Sequence, residues 1–238
     1  MESLGWTEKW LQYSGEQRVT ELREAHREKV ARNELRASLL WAQSCRAYNV
    51  QIELDPAARA SLERIQQNLK RAEPSLLVCP GMTLHVSVAW LLAVHASYSA
   101  PKDALWERHA DEWTSELHRI AAESKAFGIT YEQVVATDSA VIALARPTGP
   151  VNRIRRMIGE RLSLPPETRN EADLVHTTLL RYGGSLSDPE QFLAMVEDES
   201  ANATSKVDEL VVSKELMYPS LETEVLERLP LSPRTPEA

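Results

Sequence analysis

The sequence predicts an α+β fold made of two similar lobes that face each other. Segments with strand and helix patterns alternate along most of the chain, and the short connection 137–139 between two strand-like runs indicates an antiparallel hairpin. A similar order of elements occurs twice, and each half includes a strand that carries a histidine, His85 in the first and His176 in the second. Short hairpins among the helices favour antiparallel sheets with outer helices over a parallel sheet.

The composition fits one large domain or two small lobes. The chain has 238 residues, of which 43% are apolar, and its formal net charge is -8. Holding long nucleic acid by bulk electrostatics needs a basic surface, so an acidic chain argues against it. The acidic charge does not exclude a substrate that is a small nucleotide or the end of a nucleic acid, held by a few arginines. The two cysteines, Cys45 and Cys79, have no metal-binding spacing, and reduced thiols in a cytosolic protein are the default expectation.

Neither a targeting segment nor a membrane span is predicted. The N-terminus lacks a basic segment followed by an apolar run, so no signal peptide is expected. The longest apolar run, from Val86 to Val94, is too short to cross a bilayer. These features predict a cytoplasmic protein that makes no membrane contact.

Residues 1–46 are predicted to form a helical extension. Residues 7–46 are expected to be mostly helical, with a break at Gly15, because the following charged run favours helix and contains neither Gly nor Pro. The favoured interpretation is an extension packed on the domain, and an arm that mediates contacts with a partner or a second copy is the alternative. The main domain is assigned to residues 47–230, and a disordered tail to residues 231–238.

The first half begins with a strand and a capped helix. Residues 48–54 alternate between polar and apolar, which predicts a half-buried strand. Asp55 suits the N-cap of the next helix and Pro56 its first turn. A long helix is predicted over residues 103–126, with Gly128 as its C-cap.

The second half contains the hairpin, two helices and further strands. Asp188 and Pro189 repeat the pattern of a cap followed by proline, which predicts a helix to about residue 199. The other predicted elements are the hairpin strands 129–136 and 140–145, an arginine-rich helix at 151–162, the second histidine strand, and strands over 206–217 and 223–231.

Each histidine strand carries a hydroxyl residue two positions after the histidine. Because side chains alternate faces along a strand, His85 shares a face with Ser87, and His176 shares a face with Thr178. We expect the two strands to lie side by side and to direct both imidazoles into one cleft. The plain alternative is a pair of strand histidines satisfied by backbone or hydroxyl hydrogen bonds.

Strict alternation also places Leu174 and Leu180 on the same face of the strand as His176. His95 begins a third His-x-Ser match, but it lies where its strand ends, and a continued strand would put it about 33 Å from His85. We therefore expect His95 to act apart from the motifs. The remaining histidines are expected to be solvated: His26, His109 and His118.

The segments 85–88 (His-Val-Ser-Val) and 176–179 (His-Thr-Thr-Leu) together resemble the paired His-x-Thr/Ser motifs of the two-histidine (2H) phosphoesterase superfamily. This superfamily includes 2′-5′ RNA ligase-like proteins and 2′,3′-cyclic nucleotide phosphodiesterases. The resemblance covers roughly residues 48–230, and it departs from the family at Val175, where proline is frequent, and at Ser87, where threonine is commoner. It implies a bilobal, pseudo-symmetric α+β domain with both motifs lining a central cleft.

The resemblance also implies an activity and the residues that perform it. The implied catalytic residues are His85 and His176, and the implied substrate-binding residues are Ser87, Thr178, Arg181 and Tyr218. Histidine suits both acid and base roles because its reference pKa is about 6.5, and the assignment of the two roles stays open.

The implied reaction is cleavage of a phosphodiester with neither a metal nor a cofactor. Its substrate would be a small nucleotide or an RNA end: a 2′,3′-cyclic phosphate, or a short 2′-5′-linked or cyclic oligonucleotide, with RNA ligation as the reverse reaction. The alternative is a non-catalytic module that binds nucleotides or proteins through the same cleft or through the N-terminal helices. A metal-dependent hydrolase has little support because the sequence shows no carboxylate–histidine cluster.

Overall fold

The computed structural model describes residues 15–146, 149–170 and 174–233, and it places two antiparallel sheets and their helices around one core. The helices are α1 (Gly15–Ala31), α2 (Pro56–Ala72), α3 (Lys102–Glu123), α4 (Gly149–Arg161) and α5 (Pro189–Asp198). The strands are β1 (Ser44–Glu53), β2 (Leu76–Val78), β3 (His85–Leu92), β4 (Phe127–Ala136), β5 (Ala140–Ala145), β6 (His176–Tyr182), β7 (Ser200–Val207), β8 (Glu209–Met217) and β9 (Glu222–Pro230).

Each of the two sheets combines strands that are distant in the chain. The first sheet has the order β3-β1-β8-β9, and the second has the order β2-β6-β5-β4-β7. All pairs of named strands in both sheets are antiparallel. The predicted α+β class with antiparallel sheets and outer helices is therefore confirmed. Among the described residues, no helix is long and apolar enough to cross a membrane.

Local signals in the sequence set the starts of two helices, as predicted. The side chain of Asp55 accepts a hydrogen bond from the backbone N–H of Ala58 at 2.9 Å, at the start of α2. Asp188 does the same for Gln191 at 3.0 Å, at the start of α5. Each carboxylate satisfies a backbone donor that the first turn of a helix leaves without a partner.

The end of α3 and the C-terminal segment differ from the prediction. The helix ends at Glu123, and Gly128 lies inside β4 instead of capping the helix. The cause is tertiary pairing: the N–H of Ala126 donates to the carbonyl of Ser232 at 2.8 Å, which draws the chain into a strand. Leu231 is buried as well, so residues 231–233 belong to the fold and not to a disordered tail. Residues 234–238 lie outside the described residues.

The N-terminal helix is shorter than predicted. It ends at Ala31, the chain continues as loops and turns to residue 43, and β1 begins at Ser44. Asn33 adopts a left-handed φ of 58°, which asparagine tolerates well, and its side chain pairs with both backbone groups of Leu186 at 2.8 and 2.9 Å. Long-range hydrogen bonds thus replace the helical ones. The predicted helical part before residue 15 lies outside the described residues.

The helix α1 packs on the second sheet. Val19 and Leu22 contact a small apolar cluster that includes Ile142 and Leu144 of β5. Residues 36–43 then run towards the first sheet, where the N–H of Ala42 donates to the carbonyl of Tyr218 at 2.8 Å. The described part of the extension therefore spans from one lobe to the other.

Asp138, in the turn of the β4–β5 hairpin, anchors this extension. The side chain is almost fully buried, and it accepts hydrogen bonds from Lys29, at 3.1 Å, and from Arg36. Burial alone would raise the pKa of the Asp138 carboxyl, but these two cations outweigh burial and hold the pKa below its ordinary value. The ionised carboxylate is therefore the form that stabilises the fold.

We expect Asp138→Asn to lower the free energy of unfolding by about 1–3 kcal/mol at pH 7, since it weakens two charge-assisted hydrogen bonds. Because the folded pKa is depressed, this contribution is present above the unfolded pKa near 3.8 and is lost as the pH falls through the folded value. Urea unfolding at pH 7 and pH 3 measures the difference. Asp208→Asn, at an exposed ion pair, is the control and should cost about 0–1 kcal/mol.

Candidate active site

The first histidine strand, β3, is irregular just after its motif. Ser87 pairs with Gln51 and Ala89 pairs with the adjacent Val50, so Val88 is an extra residue that forms a bulge. Strict alternation would direct Ala89 to the face of His85, but the bulge turns Ala89 into the core and brings Trp90 to that face. The residues exposed together on this face are therefore the histidine, the serine and the tryptophan.

The second histidine strand, β6, has the same irregularity at the same place. Thr178 pairs with Ile142 and Leu180 pairs with Val141, so Leu179 is the extra residue. Leu180 is therefore buried in the core, and the prediction that it shares the row of His176 is wrong. The bulge instead brings Arg181 to the face of His176.

In each bulge, the carbonyl of the extra residue accepts a hydrogen bond from a side chain of another element. The Nε2 of Gln66, on α2, donates to the carbonyl of Leu179 at 2.7 Å. The Nε of Arg155, on α4, donates to the carbonyl of Val88 at 3.1 Å. The Nη2 of Arg155 also donates to the carbonyls of Ser87 and Leu174, at 2.8 and 3.0 Å, so this side chain connects β3 to the segment that leads into β6.

The two strands meet at a cleft of about 540 Å³, as the sequence predicted. All six residues singled out from the sequence line it: His85, Ser87, His176, Thr178, Arg181 and Tyr218. Their common location in one cavity is an observation about geometry, and their individual roles are proposals. Further lining residues that the sequence reasoning missed are Trp90, His95, Glu167, Arg169 and Glu215.

His95 lines this cleft, contrary to the expectation that it acts apart from the motifs. The 33 Å separation, about what a straight strand would give, does not apply, because β3 ends at Leu92 and the chain turns at residues 94–95. The hydroxyl of Tyr98 accepts a hydrogen bond from the N–H of Ala93 at 2.7 Å, which holds this turn. The ring of His95 then contacts the ring of Tyr218 edge to face, with centroids 5.4 Å apart.

The contacts of His85 define which of its nitrogens carries the proton in the neutral ring. The Nδ1 lies 2.8 Å from the carbonyl of Thr83, and a carbonyl only accepts, so Nδ1 is the donor. The Nε2 is therefore left without a proton, 3.2 Å from the Ser87 hydroxyl. Burial lowers the pKa of His85 more than the Thr83 bond and the charge of Glu53 raise it. The neutral ring is thus the form favoured near pH 7.

Arg181 and Tyr218 form one wall of the cleft. The guanidinium carbon of Arg181 lies 5.6 Å from the centre of the Tyr218 ring, within the range of a cation–π contact. Tyr218 follows β8 directly, and its peptide bond to Pro219 is cis. Arg181 is therefore held by an aromatic face, and this places a fixed positive charge beside the two motifs.

Glu215 is a buried carboxyl group in the same wall. It is 1% exposed, and its Oε1 accepts a hydrogen bond from the N–H of Ser220 at 2.7 Å. Its Oε2 has no hydrogen-bond partner in the described part of the chain. Burial raises the pKa of Glu215, and the Ser220 bond and the charge of Arg181 only partly oppose this. The fold therefore disfavours the ionised form.

We expect Glu215→Gln to leave stability unchanged at pH 4 and to increase it at pH 8. A glutamine keeps the acceptor for Ser220 but carries no buried charge. Because the folded pKa is raised, Glu215 stabilises the protein fully below its unfolded pKa near 4.5, and that contribution is lost as the pH rises through the folded value. Urea unfolding at both pH values is the measurement. A loss of stability at pH 8 would contradict the expectation.

The described residues contain no group of three or more His, Cys, Asp or Glu side chains that could hold a metal ion. Cys45 and Cys79 are both free thiols. Burial raises the pKa of each of these thiols to about 11, so both are protonated at neutral pH. The polar groups of the cleft are therefore its imidazoles, hydroxyls, arginines and carboxyls.

Comparison with known proteins identifies the fold. No protein-family model and no curated protein matches the sequence. Among solved structures, TT0787 of Thermus thermophilus matches with a TM-score of 0.61 at 17% identity, over 79% of this chain and 100% of that one. A phosphoesterase matches with a TM-score of 0.57 at 14% identity, over 79% of this chain and 99% of that one.

A third match is Escherichia coli LigT in complex with 3′-AMP. Its TM-score is 0.55 at 16% identity, over 79% of this chain and 99% of that one. These matches span essentially the whole of each neighbour and leave about a fifth of this chain outside. The chain therefore shares the fold of these three proteins, which confirms the predicted two-lobed α+β architecture.

Proposed function

We propose that the protein is a metal-independent phosphodiesterase that acts on 2′,3′-cyclic phosphates or on short 2′-5′-linked or cyclic oligonucleotides. The observation that carries this proposal is that two imidazole–hydroxyl pairs, from strands with the same bulge, line one cleft. The shared fold with phosphoesterases is consistent with it. A buried structural pair of histidines would not need an open cavity around both rings.

The two histidines divide the proton transfers. Cleavage of a cyclic phosphate by water forms one P–O bond to the attacking oxygen and breaks another to the sugar oxygen. His85, neutral and with a bare Nε2, takes the proton of the water. His176, in its protonated form, gives a proton to the departing sugar oxygen, so protons balance over the reaction. Because the imidazoles perform both transfers, the proposed reaction needs no metal ion.

The hydroxyl groups and Arg181 hold the phosphate. Ser87 and Thr178 each lie on the same face as their histidine, so their hydroxyls donate to the nonbridging oxygens, where negative charge concentrates in the transition state. Arg181 adds a guanidinium, which binds phosphate oxygens with paired N–H donors. These groups surround the phosphorus while the imidazoles act on opposite sides of it.

The rest of the cleft suits a nucleoside. A volume of about 540 Å³ is within the usual range of small-molecule sites. Trp90, His95 and Tyr218 provide aromatic surface for a base or a sugar, and stacking of a base on an aromatic ring contributes about 1–3 kcal/mol. A net charge of -8 disfavours long RNA held by its backbone. A small nucleotide or an RNA end is therefore the proposed substrate.

Turnover measurements on a panel of substrates test this proposal. The panel contains a 2′,3′-cyclic nucleotide, a linear 2′-5′ dinucleotide and a linear 3′-5′ dinucleotide, each with and without a chelator. We expect the cyclic or the 2′-5′ compound to be hydrolysed equally well with the chelator, and the 3′-5′ compound to be a poor substrate. Strict metal dependence, or binding of all three compounds without turnover, would reject the proposal and favour a non-catalytic binding module.

A further inference from the structure

A second cavity, about 740 Å³ in volume, lies behind the cleft. It is bounded by α4, by the bulge of β3 and by the segment 162–170. Side chains alternate along this segment: Glu167 and Arg169 line the cleft, whereas Thr168 and Asn170 line the second cavity. The segment is therefore a wall with one cavity on each side, and none of the described residues lines both cavities.

Hydrogen bonds fix this wall to the edge of the first sheet. The side chain of Asn170 accepts from the N–H of Trp90 at 2.7 Å and donates to its carbonyl at 2.9 Å, as a neighbouring strand would. Thr168 donates to the carbonyl of Leu91 at 3.0 Å. These bonds cover the exposed edge of β3.

The helix α4 gives this cavity positive charge. Arg155 is committed to backbone carbonyls of β3 and of Leu174, which precedes β6. Arg156 pairs with Glu160 at 3.9 Å, at the limit of such a contact. Arg153 forms neither a hydrogen bond nor an ion pair within 4 Å with any residue in the described part of the chain, and its charge helps to lower the pKa of the Glu123 carboxyl at longer range. Neither guanidinium is held in a close ion pair, so both can turn to an anion in the cavity.

The remaining lining is mixed, and one position on α4 is open. Leu164, Pro165 and Pro166 contribute apolar surface, while Asn152, Thr168, Asn170 and the carboxylate of Glu160 contribute polar groups. Gly159 faces the cavity, and a Cβ added there would meet no atom within 4 Å. Glycine in a helix costs about 0.5–1 kcal/mol relative to alanine, and here its lack of a side chain keeps the cavity open.

We propose that this cavity binds a small amphipathic anion. A phosphate, sulfonate or carboxylate group would bind Arg153 and Arg156, since guanidinium matches the geometry of oxyanions, and an apolar or aromatic body would pack against Leu164 and Pro165. The volume is within the range of about 300–1,000 Å³ that small-molecule sites occupy. This site is distinct from the cleft, so it stands without the proposed catalytic function.

Binding of 8-anilinonaphthalene-1-sulfonate, an aromatic sulfonate that fluoresces when it is bound, tests the site. We expect one saturable site on the full chain. Gly159→Leu, which fills the cavity, and the double change Arg153→Gln with Arg156→Gln should each weaken binding by about tenfold or more, equivalent to about 1.4 kcal/mol. Gly159→Ala is the matched control for the helix, and Arg71→Gln, at an exposed position on α2, is the control for charge.

Competition then identifies the type of anion. Displacement by adenosine 5′-monophosphate indicates a nucleotide-like ligand, and displacement by octanoate indicates an alkyl carboxylate. Displacement by neither contradicts the stated chemistry. The proposal is overturned if Gly159→Leu and the double arginine variant bind the probe as the wild type does, or if His176→Ala abolishes binding, because the probe would then occupy the cleft. Circular dichroism of each variant confirms folding.

Discussion

Replacing either motif histidine by alanine, His85→Ala or His176→Ala, is expected to lower the turnover of a 2′,3′-cyclic phosphate by about 10²–10⁴-fold. This is the usual contribution of a positioned acid or base to a proton transfer. Each histidine performs a different transfer, so loss of either one stalls the reaction. Steady-state kinetics with the substrate identified from the panel measure the effect.

Two other histidines provide the controls for this experiment. His118 lies on the surface with its Nε2 3.4 Å from a carboxylate oxygen of Glu227, and His118→Ala should leave turnover unchanged. His95→Ala removes a ring from the cleft that belongs to neither motif, and it should affect KM more than kcat. Full activity in either motif variant would remove the basis of the proposed mechanism.

The pH dependence should identify the base. Burial holds the pKa of His85 below its ordinary value of 6.5, and a base acts only when it is neutral. The kcat/KM of the wild type should therefore fall on the acid side, with a midpoint below pH 6.5. In His85→Ala this acid limb should disappear from the residual activity.

Removal of the hydroxyl groups, by Ser87→Ala or Thr178→Val, is expected to lower kcat by about 10²–10³-fold, the usual effect of losing one donor to a developing negative charge. Valine keeps the shape of threonine, so Thr178→Val removes the donor without opening space. The reduction should appear in kcat with a smaller change in KM, because the hydroxyls bind the transition state more strongly than the substrate.

Thr177 is the matched control for this change. It is the neighbour of Thr178 on the opposite face of β6, it is fully buried, and its hydroxyl lies 2.8 Å from that of Tyr131. Thr177→Val should lower the free energy of unfolding by about 1–3 kcal/mol, since it leaves a buried hydroxyl unpaired, and should preserve kcat. Equal kinetic effects at both threonines would indicate a structural role for Thr178.

The position of Arg181 shows how far the sequence could define the site. The resemblance to a family pointed to Arg181, but strict alternation from His176 places Leu180, and not Arg181, beside the motif. The extra residue Leu179 reverses the alternation, and its carbonyl is bound by Gln66 from α2. Nothing local in the strand signals this bulge, so the face of Arg181 and that of Trp90 depend on contacts that are distant in sequence.

Glu215 and His95 illustrate a second limit. Glu215 reaches the cleft from β8, and its burial follows from the pairing of β8 with β1 and from the turn at Ser220. His95 reaches the cleft because the chain reverses after β3. The spacing of apolar residues predicts the type of one helix or strand at a time. It does not predict where the following turn directs the chain.

Reasoning from the residues alone was enough for the two His-x-Ser/Thr pairs, the capped starts of α2 and α5, the β4–β5 hairpin and the α+β class, because each of these depends on residues within a few positions of one another. The three-dimensional fold was needed to define the bulges in the histidine strands, the end of α1, the position of the C-terminal segment and the two cavities on either side of segment 162–170. These features depend on hydrogen bonds and packing between residues far apart in the chain, and such contacts leave no regular spacing in the sequence.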